Sequence, residues 1–362
     1  MRLPSAVVDD DPGTLADLAG LRHVTPEDDD GFTRRRRGRG FSYHDASGEL
    51  VPPEVRARIE EIVIPPAWSG VWIAAAPDAH IQATGFDDAG RRQYRYHDRW
   101  REVADERKFL RLGWFAPALD AVRATVARDL RAGACSEERV LAAVTRLIDR
   151  ALIRVGHPGT ASGTDDDGVV TYGATTLLAD HLNVDGGRIE LHFEAKGGTE
   201  IDLSLFDPTL AGALDDCLAL RGDQLFSYAC DDNHAHPVTA DMVNDYIRDA
   251  CRGPFTAKDF RTWGATVIAA RVLIESDAGD RDPGGDPVLN AIDAAADQLG
   301  NTRAVCRASY VAPAVIDAHE DGSLARTWRS TRSGKRLSRE ERTVGRVLRT
   351  AADATLAATD AA

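Results

Sequence analysis

The stretch Ile189-Glu190-Leu191-His192-Phe193-Glu194-Ala195-Lys196-Gly197-Gly198-Thr199-Glu200-Ile201-Asp202-Leu203-Ser204-Leu205 decides what kind of fold this chain adopts. Ile189, Leu191 and Phe193 alternate with Glu190, His192 and Glu194, and Ile201, Leu203 and Leu205 resume the alternation after a Gly-rich turn. A period of two puts one face on a core and leaves the other wet, as in an antiparallel hairpin. Around it the period turns helical. Leu119, Val122, Val126 and Leu130 mark one helix over 117–130, and Val140, Val144, Ile148 and Leu152 mark another opened by Ser136, with Arg154 following on it. Everything after Thr239 reads as helix, and Thr256-Ala257-Lys258-Asp259 has the capping-box form that starts a helix carrying Arg261.

Upstream the pattern is β-rich. Phe41 to His44 leads into the turn signal Ala46-Ser47-Gly48-Glu49, and a short helix over Pro53–Ile62 is stopped by Ile64-Pro65-Pro66. Val71-Trp72-Ile73, His80 to Thr84 and Arg92 to Tyr96 read as strands, with Asp87-Asp88-Ala89-Gly90 turning into the last. The expected fold is therefore α+β: a small β-rich N-terminal domain over 31–107 and a larger, mainly α-helical domain over 114–350 with a three-stranded antiparallel β-meander. Residues 1–30 read as an acidic, disordered tail, 108–113 as a linker and 351–362 as a fraying tail.

At 362 residues with 43% hydrophobic content the chain has room for two cores. No run of about 18 apolar residues is present, and Met1-Arg2-Leu3-Pro4 lacks a signal-peptide core. Five scattered cysteines without a CxxC pair read as reduced thiols in a cytoplasm. Cys230, His234 and His236 have loosely metal-like spacing but lack a fourth ligand nearby, so no metal is expected. The formal charge of −14 argues at first against a nucleic-acid partner. Its distribution matters more. Acid gathers in Asp9-Asp10-Asp11, Glu27 to Asp30, Asp165 to Asp167 and 275–297, while base gathers in Arg34 to Arg39, in Arg91 to Arg95 and between Arg326 and Arg349. An acidic protein with basic stripes is compatible with DNA.

Five positions carry candidate chemistry: Arg154, Lys196, Arg261, Asn301 and Tyr310. Singly each reads as an ordinary surface charge, turn residue or core-edge aromatic. Together they suit attack on a phosphodiester by a tyrosine. Two arginines offer fixed, always-charged donors to oxygens that gain charge as the nucleophile adds. Asn301 adds a neutral donor, the phenol of Tyr310 supplies the nucleophile, and Lys196 at a hairpin tip supplies a general acid for the departing 5′-oxygen.

These motifs resemble those of the type IB DNA topoisomerases in their compact bacterial and poxvirus-like form. The likeness extends upstream through Ile64-Pro65-Pro66-Ala67-Trp68, Val71-Trp72-Ile73, His80 to Gly85 and Gly90 to His97, and so covers about residues 40 to 345. It implies an enzyme that relaxes supercoils through a DNA 3′-phosphotyrosyl bond at Tyr310, with no cofactor, since the bond conserves the energy needed to reseal the strand. It also implies that 31–107 is a DNA-binding domain and 114–350 the catalytic one. Gln93, Tyr94 and Tyr96 match family positions that enter the major groove, with Arg91, Arg92 and Lys258 as further DNA contacts. The partner expected is double-stranded DNA, bound by a cytoplasmic, nucleoid-associated monomer with no membrane or obligatory protein partner. Many relatives have histidine where Asn301 stands, and bacterial ones often have histidine at the position of Ala312. The alternatives are a tyrosine-type site-specific recombinase and a DNA-binding protein that has lost catalysis. Recombinases typically have histidine three residues before the second arginine, where this chain has Lys258, and a helical N-terminal domain. All five catalytic-type positions are occupied, which disfavours the second.

Overall fold

The computed structural model describes residues 11–88, 90–156, 170–220, 222–230, 234–277 and 284–360. Residues 1–10, Ala89, Asp165 to Asp167 and 278–283 of the acidic stretch lie outside them. The chain divides into two compact units, at residues 5–108 and 109–362.

In the first unit, helix α1 (Pro12–Leu18) precedes strands β1 (Gly31–Arg37) and β2 (Gly40–His44). Helix α2 (Pro53–Glu61) is followed by β3 (Ser69–Ala74), β4 (Ile81–Phe86) and β5 (Arg92–Tyr96). The strands form one sheet in the order β2-β1-β3-β4-β5, every pairing antiparallel. Ile59 of α2 packs with Tyr43, Val71, Ile73 and Ala83, so the helix covers the sheet's apolar face. Arg34, the first of the arginine run, is spent on structure: it donates to the Pro65 carbonyl at 3.0 Å and lies 4.2 Å over the Phe41 ring. Arg35 to Arg39 remain exposed.

The acidic segment expected to be disordered is folded from Asp11 onward. Asp11 caps α1 by accepting from the Gly13 and Thr14 amides, with Pro12 at the first turn. Ala16, Ala19 and Leu21 then pack against Trp100 and Val103, and Val24 against Ala74, Ala79 and Ile81. Four small or medium apolar residues are too few to show a period, yet they suffice once Trp100 offers a surface. The segment expected as a linker is helical too. Helix α3 (Asp98–Leu112) runs through most of 108–113, because no Gly or Pro interrupts it before Gly113.

In the second unit, helices α4 (Phe115–Asp129) and α5 (Glu137–Ala151) precede a meander of β6 (Leu182–Asp185), β7 (Arg188–Ala195) and β8 (Thr199–Phe206). Its order is β6-β7-β8 and its pairings are antiparallel, with Ile189, Leu191 and Phe193 buried. Next come α6 (Pro208–Leu220), the short pair β9 (Ser227–Ala229) and β10 (Ala235–Pro237), and α7 (Ala240–Cys251). Helix α8 (Ala257–Asp277) is followed by α9 (Pro287–Leu299), α10 (Arg303–Ser309), α11 (Pro313–Glu320), α12 (Ser323–Ser330) and α13 (Arg339–Asp360). The fold is α+β as expected. Helix α8 is its axis: Phe260, Trp263, Ala265, Ala269 and Leu273 are all buried, and Phe115 meets Phe255 and Phe260 edge-on. The C-terminal stretch expected to fray stays helical to Asp360, where alanines favour helix.

Candidate active site

Arg261 sits in the first turn and a half of α8 and is only 5% exposed. The helix start places it there: the Asp259 carboxylate accepts from both the amide (2.8 Å) and the hydroxyl (3.0 Å) of Thr256, the capping interaction read from the sequence. Its guanidinium donates to the Leu152 carbonyl and, at 3.1 Å, to the Leu299 carbonyl. Both carbonyls lie at helix C-termini, just past α5 and at the end of α9, where a cation is favoured. Burial, with the Arg154 charge adding to it, lowers the pKa of Arg261 to about 10, and the Tyr310 phenol pulls the other way. An anion docked beside this group would relieve that cost.

Arg154 does not lie on a helix. Helix α5 ends at Ala151 because Leu152 takes a left-handed conformation (φ 55°, ψ 26°), unusual for a side chain of this size. The chain then runs extended through Arg154, whose carbonyl accepts from the Ala174 amide at 2.8 Å, while that of Val155 accepts from the Thr175 amide at 2.7 Å. The two segments cross closely: a Cβ on Gly173 would come within 2.6 Å of Gly156 backbone atoms, so only glycine fits.

Asn301 is set by the end of α9. Gly300 adopts φ 59°, and the amides of Gly300 and Asn301 fold back onto the carbonyls of Asp297 and Ala296, a Schellman turn. Arg154 Nη2 then donates to Asn301 Oδ1 at 2.9 Å. Arginine has no acceptor, so this contact fixes the amide's orientation and leaves Nδ2 as its free end. Among the described residues, Asn301 Nδ2 and Arg261 Nε are both buried without a partner. Two orphaned buried donors are costly in a protein alone and useful if an anion occupies the site.

Tyr310 follows the short helix α10, which Thr302 caps by accepting from the Val305 amide. Its ring is half-buried, with the Arg261 guanidinium 5.5 Å from the ring centroid. Arg154, Asn301, Arg261 and Tyr310 thus form one connected cluster. Lys196 stands apart from it. The register Ala195↔Thr199 leaves Lys196, Gly197 and Gly198 at the exposed hairpin tip, and Lys196 makes no hydrogen bond or ion pair with another described residue. Its neighbour Ala195 is nonetheless bridged to Tyr172, beside Gly173, and the Tyr172 amide donates to Glu194 at 2.8 Å. Ala195, Thr199, Arg154, Arg261 and Gly300 line one cleft of about 730 Å³.

The other sequence-derived residues lie mainly on β5 of the first unit. Asp87 holds Arg91 (2.8 Å) and Gln93 (2.8 Å), and Glu27 pairs with Arg92. Tyr94 and Tyr96 share a face, stacked at 5.8 Å, with Tyr96 stacked in turn on Trp100 at 4.3 Å. Tyr94 is 39% exposed, whereas burial raises the pKa of Tyr96, so only Tyr94 is openly presented. Lys258, on α8, is exposed.

The sequence family described as "Eukaryotic DNA topoisomerase I, catalytic core" matches residues 97–329, and "Bacterial DNA topoisomerase IB, N-terminal domain" matches residues 40–87. The chain belongs to the type IB DNA topoisomerases. It is therefore a topoisomerase whose partner is DNA. The "DNA topoisomerase 1B" of Acanthamoeba polyphaga mimivirus is 29% identical over 303 residues, which cover 81% of this chain and 88% of the viral protein. Among solved structures, XerH site-specific recombinase bound to palindromic difH substrate, in a post-cleavage complex, is 13% identical at a TM-score of 0.34. That match covers 57% of this topoisomerase and 50% of the recombinase chain. No helix of the described residues is long and apolar enough to cross a membrane.

Sequence reasoning missed three residues that organise this topoisomerase's cluster. Leu152 offers Arg261 a carbonyl, Gly173 admits the Arg154 segment, and Thr266 bonds the chain around Tyr310. A leucine in a left-handed turn leaves no sequence mark. Gly156 and Gly173 do leave one, since paired glycines can signal a close backbone crossing.

Proposed function

We propose that this enzyme relaxes positive and negative supercoils by cutting one strand through Tyr310, letting it rotate, and resealing it. The observation that carries the reading is the Arg261 guanidinium, buried between two helix ends, bonded on one side and facing the Tyr310 ring on the other. The phenol oxygen attacks the phosphorus, the bond to the 5′-oxygen breaks, and a 3′-phosphotyrosyl ester forms. Arg154, Arg261 and the Nδ2 of Asn301 hold the non-bridging oxygens, which gain charge in the transition state. The phenol gives up its proton in the field of the two arginines. Lys196 delivers a proton to the departing 5′-oxygen when DNA brings the hairpin tip over the cleft. Religation runs the same steps backwards and needs neither ATP nor metal, because the phosphotyrosyl bond keeps the energy of the phosphodiester.

Arg91, Arg92, Gln93 and Tyr94 serve the duplex on the first unit, with Tyr96 supporting Tyr94, and Lys258 contacts a phosphate near the cleavage site. The enzyme works as a monomer in the compartment that holds the DNA. Purified protein should relax supercoils of both signs in EDTA without nucleotide, and a strict need for either additive contradicts the mechanism. Tyr310→Phe should abolish relaxation and retain DNA binding, whereas residual turnover would place the nucleophile elsewhere.

A further inference from the structure

Arg35, Arg36, Arg37 and Arg39 are exposed, and none of them makes a hydrogen bond or ion pair with another described residue. Other arginines of the same unit are spent: Arg95 donates to the Ile62 carbonyl at 2.8 Å, and Arg91 and Arg92 pair with Asp87 and Glu27. A chain with 58 acidic side chains against 44 basic ones has carboxylates to spare, yet no described carboxylate pairs with these four. They sit on an arm. Strand β1 pairs with β3 only over Gly31–Thr33, whereas its pairing with β2 continues through Arg34 to Arg37, opposite Tyr43 to Gly40. Beyond Thr33 the two strands therefore run on paired only to each other, closed by a tight turn in which Gly38 takes φ 57°. Like charges this close repel, so the arm's charge counts against the free fold and is relieved by a polyanion.

The register fixes which way the arm faces. Thr33, Trp72, Thr84 and Tyr94 lie opposite one another across β1, β3, β4 and β5, so their side chains share one face of the sheet. Tyr43, Ile73 and Ala83 point the other way, into the core under α2. Arg35, two residues on from Thr33, falls on the face of Tyr94. The spacing from β1 to β5 is about 14 Å, close to the roughly 12 Å width of a DNA major groove.

We propose that the β1–β2 arm is a phosphate-binding site, in which Arg35, Arg36, Arg37 and Arg39 grip the DNA backbone bordering the groove that β5 enters. The site deepens the proposed DNA contact of the first unit and rests on it. Guanidinium groups suit the task, since they stay charged and meet phosphate oxygens in pairs. Such contacts hold and orient a duplex without reading its bases. They also account for how a chain with a net charge of −14 takes hold of a polyanion.

The test is equilibrium binding of the full chain to a pair of duplexes of unrelated sequence, over a range of salt concentrations. Each phosphate contact adds about 0.9 to the slope of log K against log salt. A variant combining Arg35→Gln, Arg36→Gln, Arg37→Gln and Arg39→Gln should flatten that slope by about 2 to 4. Its low-salt affinity should fall on the order of 10- to 100-fold, equally for both duplexes. Because these side chains make no bonds within the fold, its melting curve should match that of wild type. Arg35→Gln alone should flatten the slope by about one. Arg56→Gln removes the same charge from α2, where it pairs with Glu60, and should leave the slope unchanged. An unchanged slope in the combined variant overturns the proposal. Equal effects of Arg35→Gln and Arg56→Gln overturn it too, since the arm then acts only through net charge. So does a loss confined to one duplex, because phosphates carry no sequence. Arg92→Gln combined with Tyr94→Ala separates this site from the reading beneath it. If that pair weakens binding and the arm variant does not, the arm alone fails. If neither weakens it, the first unit leaves DNA untouched and both readings fall.

Discussion

Arg154 donates to the side-chain oxygen of Asn301 across 2.9 Å, joining two residues that are 147 positions apart. The contact decides which end of the amide is left without a partner. In the proposed mechanism asparagine offers a donor that carries no titratable proton.

Asn301→Asp should therefore be far more damaging than its size suggests. The carboxylate keeps the bond to Arg154, even strengthens it, but offers a phosphate only acceptors. Cleavage is expected to fall about 10²- to 10³-fold, with little change in melting temperature. Asn301→His should retain much of the activity. Single-turnover cleavage rates for the two variants check this, and equal activity of Asn301→Asp and wild type would remove Asn301 from the site.

Arg261 gives a prediction with a definite sign. Its folded pKa of about 10 lies below the ordinary arginine value of more than 12, so between those limits the folded chain holds fewer protons than the unfolded one. Stability then rises with pH across that window, and at neutral pH the buried charge counts against the fold. A bound anion raises the pKa and returns the lost stability. Phosphate at fixed ionic strength and pH 7.5 should raise the melting temperature of wild type more than that of Arg261→Gln. Equal shifts would mean that the anion binds elsewhere. Arg261→Lys should lose about 10²- to 10³-fold in cleavage, since an ammonium cannot reach both the Leu152 and Leu299 carbonyls and a phosphate.

Lys196→Ala should slow cleavage of an ordinary strand by about 10²- to 10⁴-fold. A substrate with a 5′-bridging sulfur has a leaving group that departs without a proton, so its cleavage should be nearly unaffected. Equal losses on both substrates would take the acid role away from Lys196.

Glu27 pairs with Arg92 on the surface of the first unit, so DNA must displace a carboxylate to use that arginine. Exposed pairs are weak and are readily screened. Glu27→Gln should therefore tighten DNA binding by no more than about fivefold at low salt, with the gain vanishing as salt screens it. Binding isotherms at several salt concentrations read this out. Unchanged affinity at every concentration would separate Arg92 from DNA contact.

Much of this was legible in the residues. The alternation at Ile189 to Leu205 marked the meander, the Thr256 to Asp259 cap marked the start of α8, and the five candidate side chains had a family order. Two kinds of information were not. The backbone at Leu152 bends left-handed because its carbonyl meets Arg261 from 109 positions away, and no local preference records that meeting. The segment from Asp11 to Asp30 reads as disordered because its charge is local, while the partners of its few apolar residues, Trp100 and Ala79 among them, come from later in the chain.

Arg261 fastens the end of α5 to the end of α9, and that has a bearing on safety. A protein that breaks DNA is hazardous when it can cut but not reseal. Here the residue proposed to stabilise both directions is also the buckle that holds the site together. Under the proposed mechanism, a chain that loses this tie would lose cutting and resealing together.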